Sequence, residues 1–267
     1  MRIAARAKIN WSLDITGTRE DGYHLMDMLM QPVSLADELD IAPSDDLTLV
    51  CDGYPRVSAR PDNLILRAAA LLRDTANIKD GAAIRLHKRI PVGAGMGGGS
   101  ADAAGTLFGL NQLWNAGLST EELETLGLQL GADVPFCLRG GLQRVTGIGE
   151  QMLPLPCARH YWLVVVQPCA GLSTKEVFTA YHQAASPNRP ATDAAAVALG
   201  CGDIRALCGA LQNVLQPVSQ ALRPEIGEGI ARLKENGALG AWMTGSGSAV
   251  FGLFASAPTA RQAQTVL

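Results

Sequence analysis

No two cysteines in this chain stand two residues apart, and the six present, at 51, 137, 157, 169, 201 and 208, show no metal-like spacing with the four histidines. A disulfide framework and a zinc site of the usual kind are therefore not expected, and free thiols suit a reducing compartment, the cytoplasm. Basic charge is not in excess. Lys and Arg number 22 against 25 Asp and Glu, for a net charge of −3, which leaves no field for nucleic acid or an anionic membrane surface. Long apolar runs are missing as well. The longest aliphatic stretch is LVVV at 163 to 166, and the opening MRIAARAKINWSL carries charge but no apolar core, so neither a spanning nor an export segment is expected. No internal repeat is evident. What remains is a globular chain of 267 residues, 48% hydrophobic and 18% charged, long enough for one large domain or two modest ones.

Glycine is what the chain has in plenty, and it is concentrated. Six of the eight residues from Gly93 to Ser100 are glycine or serine, and an Ala-rich, helix-favouring run follows at once. In such a strand-to-helix turn the backbone can approach a ligand closely. The N–H groups of the first helical turn and the positive end of the helix dipole favour an anion there, and a nucleotide phosphate is the natural occupant. Two familiar glycine loops do not fit. Gly93, Gly95 and Gly98 spell G-x-G-x-x-G, but IRLHKRIP before them is no continuous apolar strand. About 20 residues on, where a ribose-binding acid would be expected, the chain opens a helix at Ser119 instead. A Walker loop needs a lysine after its last glycine, and none lies between Arg89 and the end of the next helix.

The rest of the chain mixes strands and helices in unequal clusters without strict βαβ alternation, which points to an α+β fold. Ile9, Trp11, Leu13 and Ile15 share one face of a strand, and Leu39, Ile41, Leu47 and Leu49 fall in further short strands. Asp62 or Asn63 caps a helix with Leu64, Ala68, Leu71 and Leu72 on its apolar side, and Ile84 and Leu86 mark another strand. Ser119 with Glu122 spells a capping box for a helix stopped by Gly131. After a break near Gly147 come a strand at Leu163 to Val166, a second capping box at Ser173 and Glu176, and a loop over 186–193. Helices follow over 204–215 and 224–236, the latter stopped by Gly237. AWMTGSGSAVFGLF reads as two strands around a glycine turn, and ARQAQTVL as a helix without a cap.

Two polar residues sit where structure alone does not ask for them. Lys8 interrupts the first strand, and Asp133 lies just ahead of Pro135 at a helix start. Alone, Lys8 reads equally as a solvated strand edge and Asp133 as a helix cap. Beside a phosphate loop they fit phosphoryl transfer: a carboxylate positions the acceptor hydroxyl and takes its proton, while an ammonium offsets negative charge.

These residues carry a resemblance to the GHMP kinases, and within them to a branch whose acceptor bears a cytidine diphosphate. The matching segments are AKINWSLDITGTREDGYH at 7–24, DNLI at 62–65, PVGAGMGGGSADAA at 91–104, LGADVPF at 130–136 and TGSGSAVF at 244–251, nearly end to end. The resemblance implies a two-domain α+β kinase, residues 1–147 and 148–267, with ATP and acceptor sites in the cleft between the domains. It implies Lys8 and Asp133 as the catalytic pair. ATP, as its Mg2+ complex, would be bound by Asn63 and by Pro91, Val92, Gly93, Ala94, Gly95, Met96, Gly97, Gly98, Gly99, Ser100 and Ala101. The acceptor would meet Asn10, Tyr23, His24, Thr174 and Phe178, with Tyr23 and Phe178 covering the two faces of the cytosine. The expected partners are thus small molecules.

Three features depart from the wider family pattern. Arg6 stands where proline often precedes AK. Gly98 and Gly99 stand where serines are usual, one of which can serve the metal, so no protein ligand to magnesium is assigned. The chain also stops soon after its last strand, so a C-terminal element is expected to be short or missing. The rival readings are a kinase of a bare sugar or amino alcohol, which has no use for an aromatic pair, and a nucleotide-binding homologue without turnover, which would lack Lys8 or Asp133.

Overall fold

The computed structural model describes residues 1–53, 57–183 and 188–267, and the chain divides into two compact units that it visits alternately. The first unit comprises Met1–Lys8, Pro32–Val92 and Gly97–Gly141, and the second Ile9–Gln31, Gly93–Met96 and Leu142–Leu267. Two long strands, β1 (Arg2–Thr18) and β2 (His24–Ser44), contribute residues to both.

In the first unit β3 (Leu47–Gly53), α1 (Leu64–Thr75) and β4 (Gly81–Lys88) form a crossover, with β3 parallel and β2 antiparallel to β4. The register places Leu39 opposite Leu86 and Ile41 opposite Ile84. These side chains form one core with Ile65, Ala68 and Leu72 of α1 and with Leu107 and Leu110 of α2 (Gly98–Leu113). Asn63 is the cap of α1, its Oδ1 accepting the Ile65 N–H at 2.9 Å. Helix α2 lies close on the sheet because two of its residues lack side chains. A Cβ on Gly105 would come within 2.8 Å of Leu39, and one on Gly109 within 2.6 Å of Ile41. That approach offsets the roughly 1 kcal/mol each glycine costs a helix interior. α3 (Thr120–Leu130) carries the expected capping box, Ser119 with Glu122, and α4 (Val134–Arg139) follows.

The second unit holds β5 (Gln143–Gly147), antiparallel to the start of β2, and β6 (Gln151–Pro154) beside it. A separate antiparallel sheet is formed by β7 (Trp162–Val166), β8 (Gly240–Met243) and β9 (Val250–Phe254), with β9 central. The helices are α5 (Thr174–Gln183), α6 (Thr192–Cys201), α7 (Ile204–Ala210), α8 (Gln216–Leu222), α9 (Glu225–Glu235) and α10 (Ala257–Val266). The mixture is α+β, as expected. No helix among the described residues is long and apolar enough to cross a membrane.

Several local expectations need correction. The short strand expected around Leu39 and Ile41 is the end of one 21-residue strand. Along β1, every residue from Ala7 to Ile15 is buried, so the polar face of Lys8, Asn10, Ser12 and Asp14 is as enclosed as the apolar one. The helix expected over 204–215 is broken at Leu211, where the chain extends so that Asn213 can bridge to Leu13. The terminal helix is capped after all: Ser256 and Thr259 form a reciprocal box. Of the loop expected over 186–193, Ser186 and Pro187 lie outside the described residues, and α6 already begins at Thr192.

Asn213 explains the broken helix. Only 3% exposed, it donates through Nδ2 to the carbonyls of Met243 and Gly245 at 2.9 and 2.8 Å, and its Oδ1 accepts the Leu215 N–H at 3.0 Å. Asn213→Ala leaves these backbone groups unpaired, which should destabilise the protein by on the order of 2 kcal/mol. Urea unfolding should show a lower midpoint at unchanged slope; an unchanged midpoint would mean that other partners replace the amide.

Candidate active site

Strand β4 ends at Lys88, and the chain turns through the glycine-rich loop into α2 with nothing to cap it. Gly97, at φ +67°, is the N-cap residue, no side chain caps the helix, and its first turn holds no acidic residue. The leading N–H groups and the dipole's positive end are thereby left for an anion from outside. Within the first unit, Gly97 adjoins both candidate catalytic side chains. A Cβ built there would lie 3.1 Å from Lys8 Cγ, 3.3 Å from Lys8 Cε and 3.6 Å from Asp133 Oδ2.

Lys8 and Asp133 face each other. Lys8 Nζ lies 3.5 Å from Asp133 Oδ2, with side chains 6% and 33% exposed. Lys8 is therefore no solvated strand edge. Asp133 occupies the position before α4, but its backbone is helical (φ −83°, ψ −11°) and its carboxylate makes no capping hydrogen bond, so the carboxylate is not spent on the helix. Gly99 of α2 lies against Leu64, the first residue of α1 and the neighbour of its cap Asn63: a Cβ on Gly99 would come within 3.3 Å of Leu64 Cδ1.

In the second unit, Gly93 to Met96 are tied to the turn between β8 and β9. The Ala249 N–H donates to Ala94 O at 3.1 Å, and Thr244 Oγ1 donates to Gly95 O at 3.5 Å while accepting the Asn10 N–H at 2.9 Å. Asn10 is buried, its Nδ2 against Met28 Sδ at 3.3 Å. Thr174, at the start of α5, lies 3.2 Å from Ser246 by its hydroxyl. Phe178 stacks on His24, centroids 4.5 Å apart and planes at 14°, and His182 packs against the same imidazole at 4.7 Å. The neighbouring Val177 is the core residue of α5, so Phe178 is only half-buried. Burial, then the neighbouring His182, lowers the His24 pKa, which favours the neutral ring near pH 7. Tyr23 is 60% exposed and has no ring contact among the described residues. The structure thus joins Lys8, Gly97 and Asp133, and separately His24 and Phe178, without bringing Tyr23 to either group.

Comparison with known proteins shows the family. Residues 63–141 match the GHMP kinases N terminal domain and residues 194–267 the GHMP kinases C terminal domain. A 4-diphosphocytidyl-2-C-methyl-D-erythritol kinase of Pelotomaculum thermopropionicum is 45% identical over 97% of this chain and 90% of its own length. Its counterpart in Symbiobacterium thermophilum is 45% identical over 95% and 90%. The chain belongs to the GHMP kinase family. A crystal structure of 4-(cytidine 5'-diphospho)-2C-methyl-D-erythritol kinase superposes with a TM-score of 0.85 at 36% identity, covering all of this chain and 94% of the other. Leishmania major mevalonate kinase shares the fold, with a TM-score of 0.73 at 18% identity over 99% and 90%.

Sequence reasoning missed two parts of this GHMP kinase. Thr244 falls within a segment that carries the resemblance, but its link between Asn10 and Gly95 is not legible there. Lys88, which the sequence does not single out, is buried between Asp37 and Asp102 at 2.6 and 2.8 Å. An aspartate inside the Ala-rich start of α2 was the available signal.

Gly97→Val puts a branched Cβ on a left-handed residue and against Lys8. Strain of about 1–3 kcal/mol is expected in stability, whereas ATP affinity should fall at least about a hundredfold because backbone approach is blocked. Calorimetric ATP titration beside thermal unfolding checks this; unchanged affinity would place the phosphates elsewhere.

Proposed function

We propose that this protein transfers the γ-phosphoryl group of ATP to the 2-hydroxyl of 4-diphosphocytidyl-2-C-methyl-D-erythritol, a step of the non-mevalonate route to isoprenoid precursors, in the cytoplasm. The observation that carries the reading is the meeting of Lys8, Asp133 and Gly97 at the uncapped start of α2. Names of relatives at 45% identity over nearly the whole chain support the substrate.

The chemistry follows from the residues. The acceptor oxygen forms a bond to the γ-phosphorus as the bond to the β-phosphate's bridging oxygen breaks, and the hydroxyl proton passes to Asp133. Lys8 offsets negative charge on the transferring group. Asn63 and residues Pro91 to Ala101 hold the nucleotide, with backbone N–H groups at its phosphates. Among the described residues no group of three or more His, Cys, Asp or Glu could hold a metal, and Gly98 and Gly99 offer no hydroxyl. We assign Mg2+ to the phosphate oxygens of ATP itself, where it neutralises charge.

On the acceptor side, Asn10, Tyr23, His24, Thr174 and Phe178 bind the cytidine-bearing end. A flat aromatic such as Phe178 offers a base roughly 1–3 kcal/mol of stacking. A kinase of a bare polyol has no use for it.

Release of ADP tests the reading. With ATP saturating, the diphosphocytidyl acceptor should support turnover, and bare methylerythritol should fall short by roughly 10- to 100-fold or more in kcat/KM, the worth of one lost stack. Equal kcat/KM for the two would overturn the acceptor assignment, and no ADP with either would overturn the kinase assignment.

A further inference from the structure

Lys88 closes β4 with 3% of its side chain exposed, and its ammonium lies between two carboxylates that are buried just as deeply, Asp37 at 0% and Asp102 at 6%. One cation and two acids in a dry interior are costly unless geometry and hydrogen bonds compensate. Asp37, on β2, is fully engaged. Its Oδ2 accepts from Lys88 Nζ at 2.6 Å, and its Oδ1 accepts the backbone N–H groups of Arg89 and Ile90, the latter at 2.8 Å. Asp102, in the second turn of α2, accepts from Lys88 Nζ at 2.8 Å through Oδ2, while its Oδ1 is buried without a hydrogen bond. Lys88 is the cation that anchors it, and its carboxyl also faces that of Asp37.

These bonds bracket residues 91–101. Asp37 fixes the chain just before them through Arg89 and Ile90, and Lys88 reaches across to the helix just after them. The loop also packs on the ammonium itself: a Cβ on Gly98 would lie 3.1 Å from Lys88 Nζ and 3.0 Å from Ile90 Cγ2. Glycine at 98 is therefore what this lysine leaves room for.

We propose that Asp37, Lys88 and Asp102 are positioning residues that set the span of the phosphate loop, and that their joint charge governs how well the loop receives the polyphosphate of ATP. This rests on the kinase reading above. With both carboxylates ionised the cluster carries one net negative charge next to the loop; with Asp102 protonated it is neutral. Burial pushes Asp102 up to about 7, against the pull of Lys88, with Asp37 adding to the rise. The other titratable groups near it are the thiols of Cys51 on β3 and Cys137 on α4, both pushed up chiefly by burial. The folded protein thus keeps a proton that the unfolded chain releases near pH 4. Stability from that proton is present below the unfolded value and is lost as pH rises through about 7.

Steady-state kinetics of Asp102→Ala and Asp102→Asn test the proposal. Asp102→Ala should raise the KM for ATP roughly tenfold, leaving the KM for the acceptor unchanged and kcat within about threefold. Asp102→Asn, which keeps an acceptor for Lys88 without the second negative charge, should restore it. From about pH 6 to 8.5 the KM for ATP of the wild type should climb relative to that of Asp102→Asn, the ratio removing the titration of ATP itself. A constant ratio, or a folded Asp102→Ala with unchanged KM for ATP, would overturn the proposal. Gly97→Val measured in parallel separates the two levels: if it leaves ATP affinity intact, the loop reading fails; if it abolishes ATP binding while the Asp102 variants do nothing, only the proposal fails.

Discussion

An ammonium almost wholly withdrawn from water needs an anion close by, and the candidate active site is built around that requirement. Lys8 comes from a strand and Asp133 from the start of a short helix, and their 3.5 Å pairing leaves a carboxylate that is only one-third exposed beside a positive charge. Withdrawing such a pair from water is offset only where geometry and further hydrogen bonds compensate. Here it stands against a glycine whose backbone opens a helix that no side chain caps, which leaves the helix's leading N–H groups beside the pair to receive an anion. The catalytic reading rests on that lack of competing caps as much as on the two charged residues.

The loop is held from each unit separately. In the first, Asp37, Lys88 and Asp102 grip its two roots; in the second, Thr244 and Ala249 bind the backbone of Gly95 and Ala94. Holding these glycines in place costs the chain the extra backbone freedom glycine has when unfolded, and the contacts within each unit offset that cost.

Much of this was legible in the sequence, for identifiable reasons. The glycine cluster, the Ser119 capping box and the Asn63 cap are local signals, and local chemistry decides them. Lys8 and Asp133 stood out because charge interrupts an apolar pattern. What escaped detection depends on contacts distant in sequence. The polar face of β1 reads as solvent-facing from alternation alone, but burial on both sides encloses it. The helix after Ile204 breaks because Asn213 is needed by carbonyls 30 and 32 residues away, and no helix propensity encodes that. Lys88 gives no local signal of its role because its two carboxylates lie 51 and 14 residues off. The stack of Phe178 on His24 likewise joins residues that only the fold brings together.

A double-mutant cycle on kcat, with Lys8→Met, Asp133→Asn and both together, tests most directly whether the pair acts as one device. Each single change should keep the fold and ATP binding while lowering kcat by about 10²- to 10⁴-fold. If the two work on the same proton and the same charge, the double mutant should be scarcely slower than the slower single mutant. Strictly additive losses, or near-normal turnover in Asp133→Asn, would contradict the account.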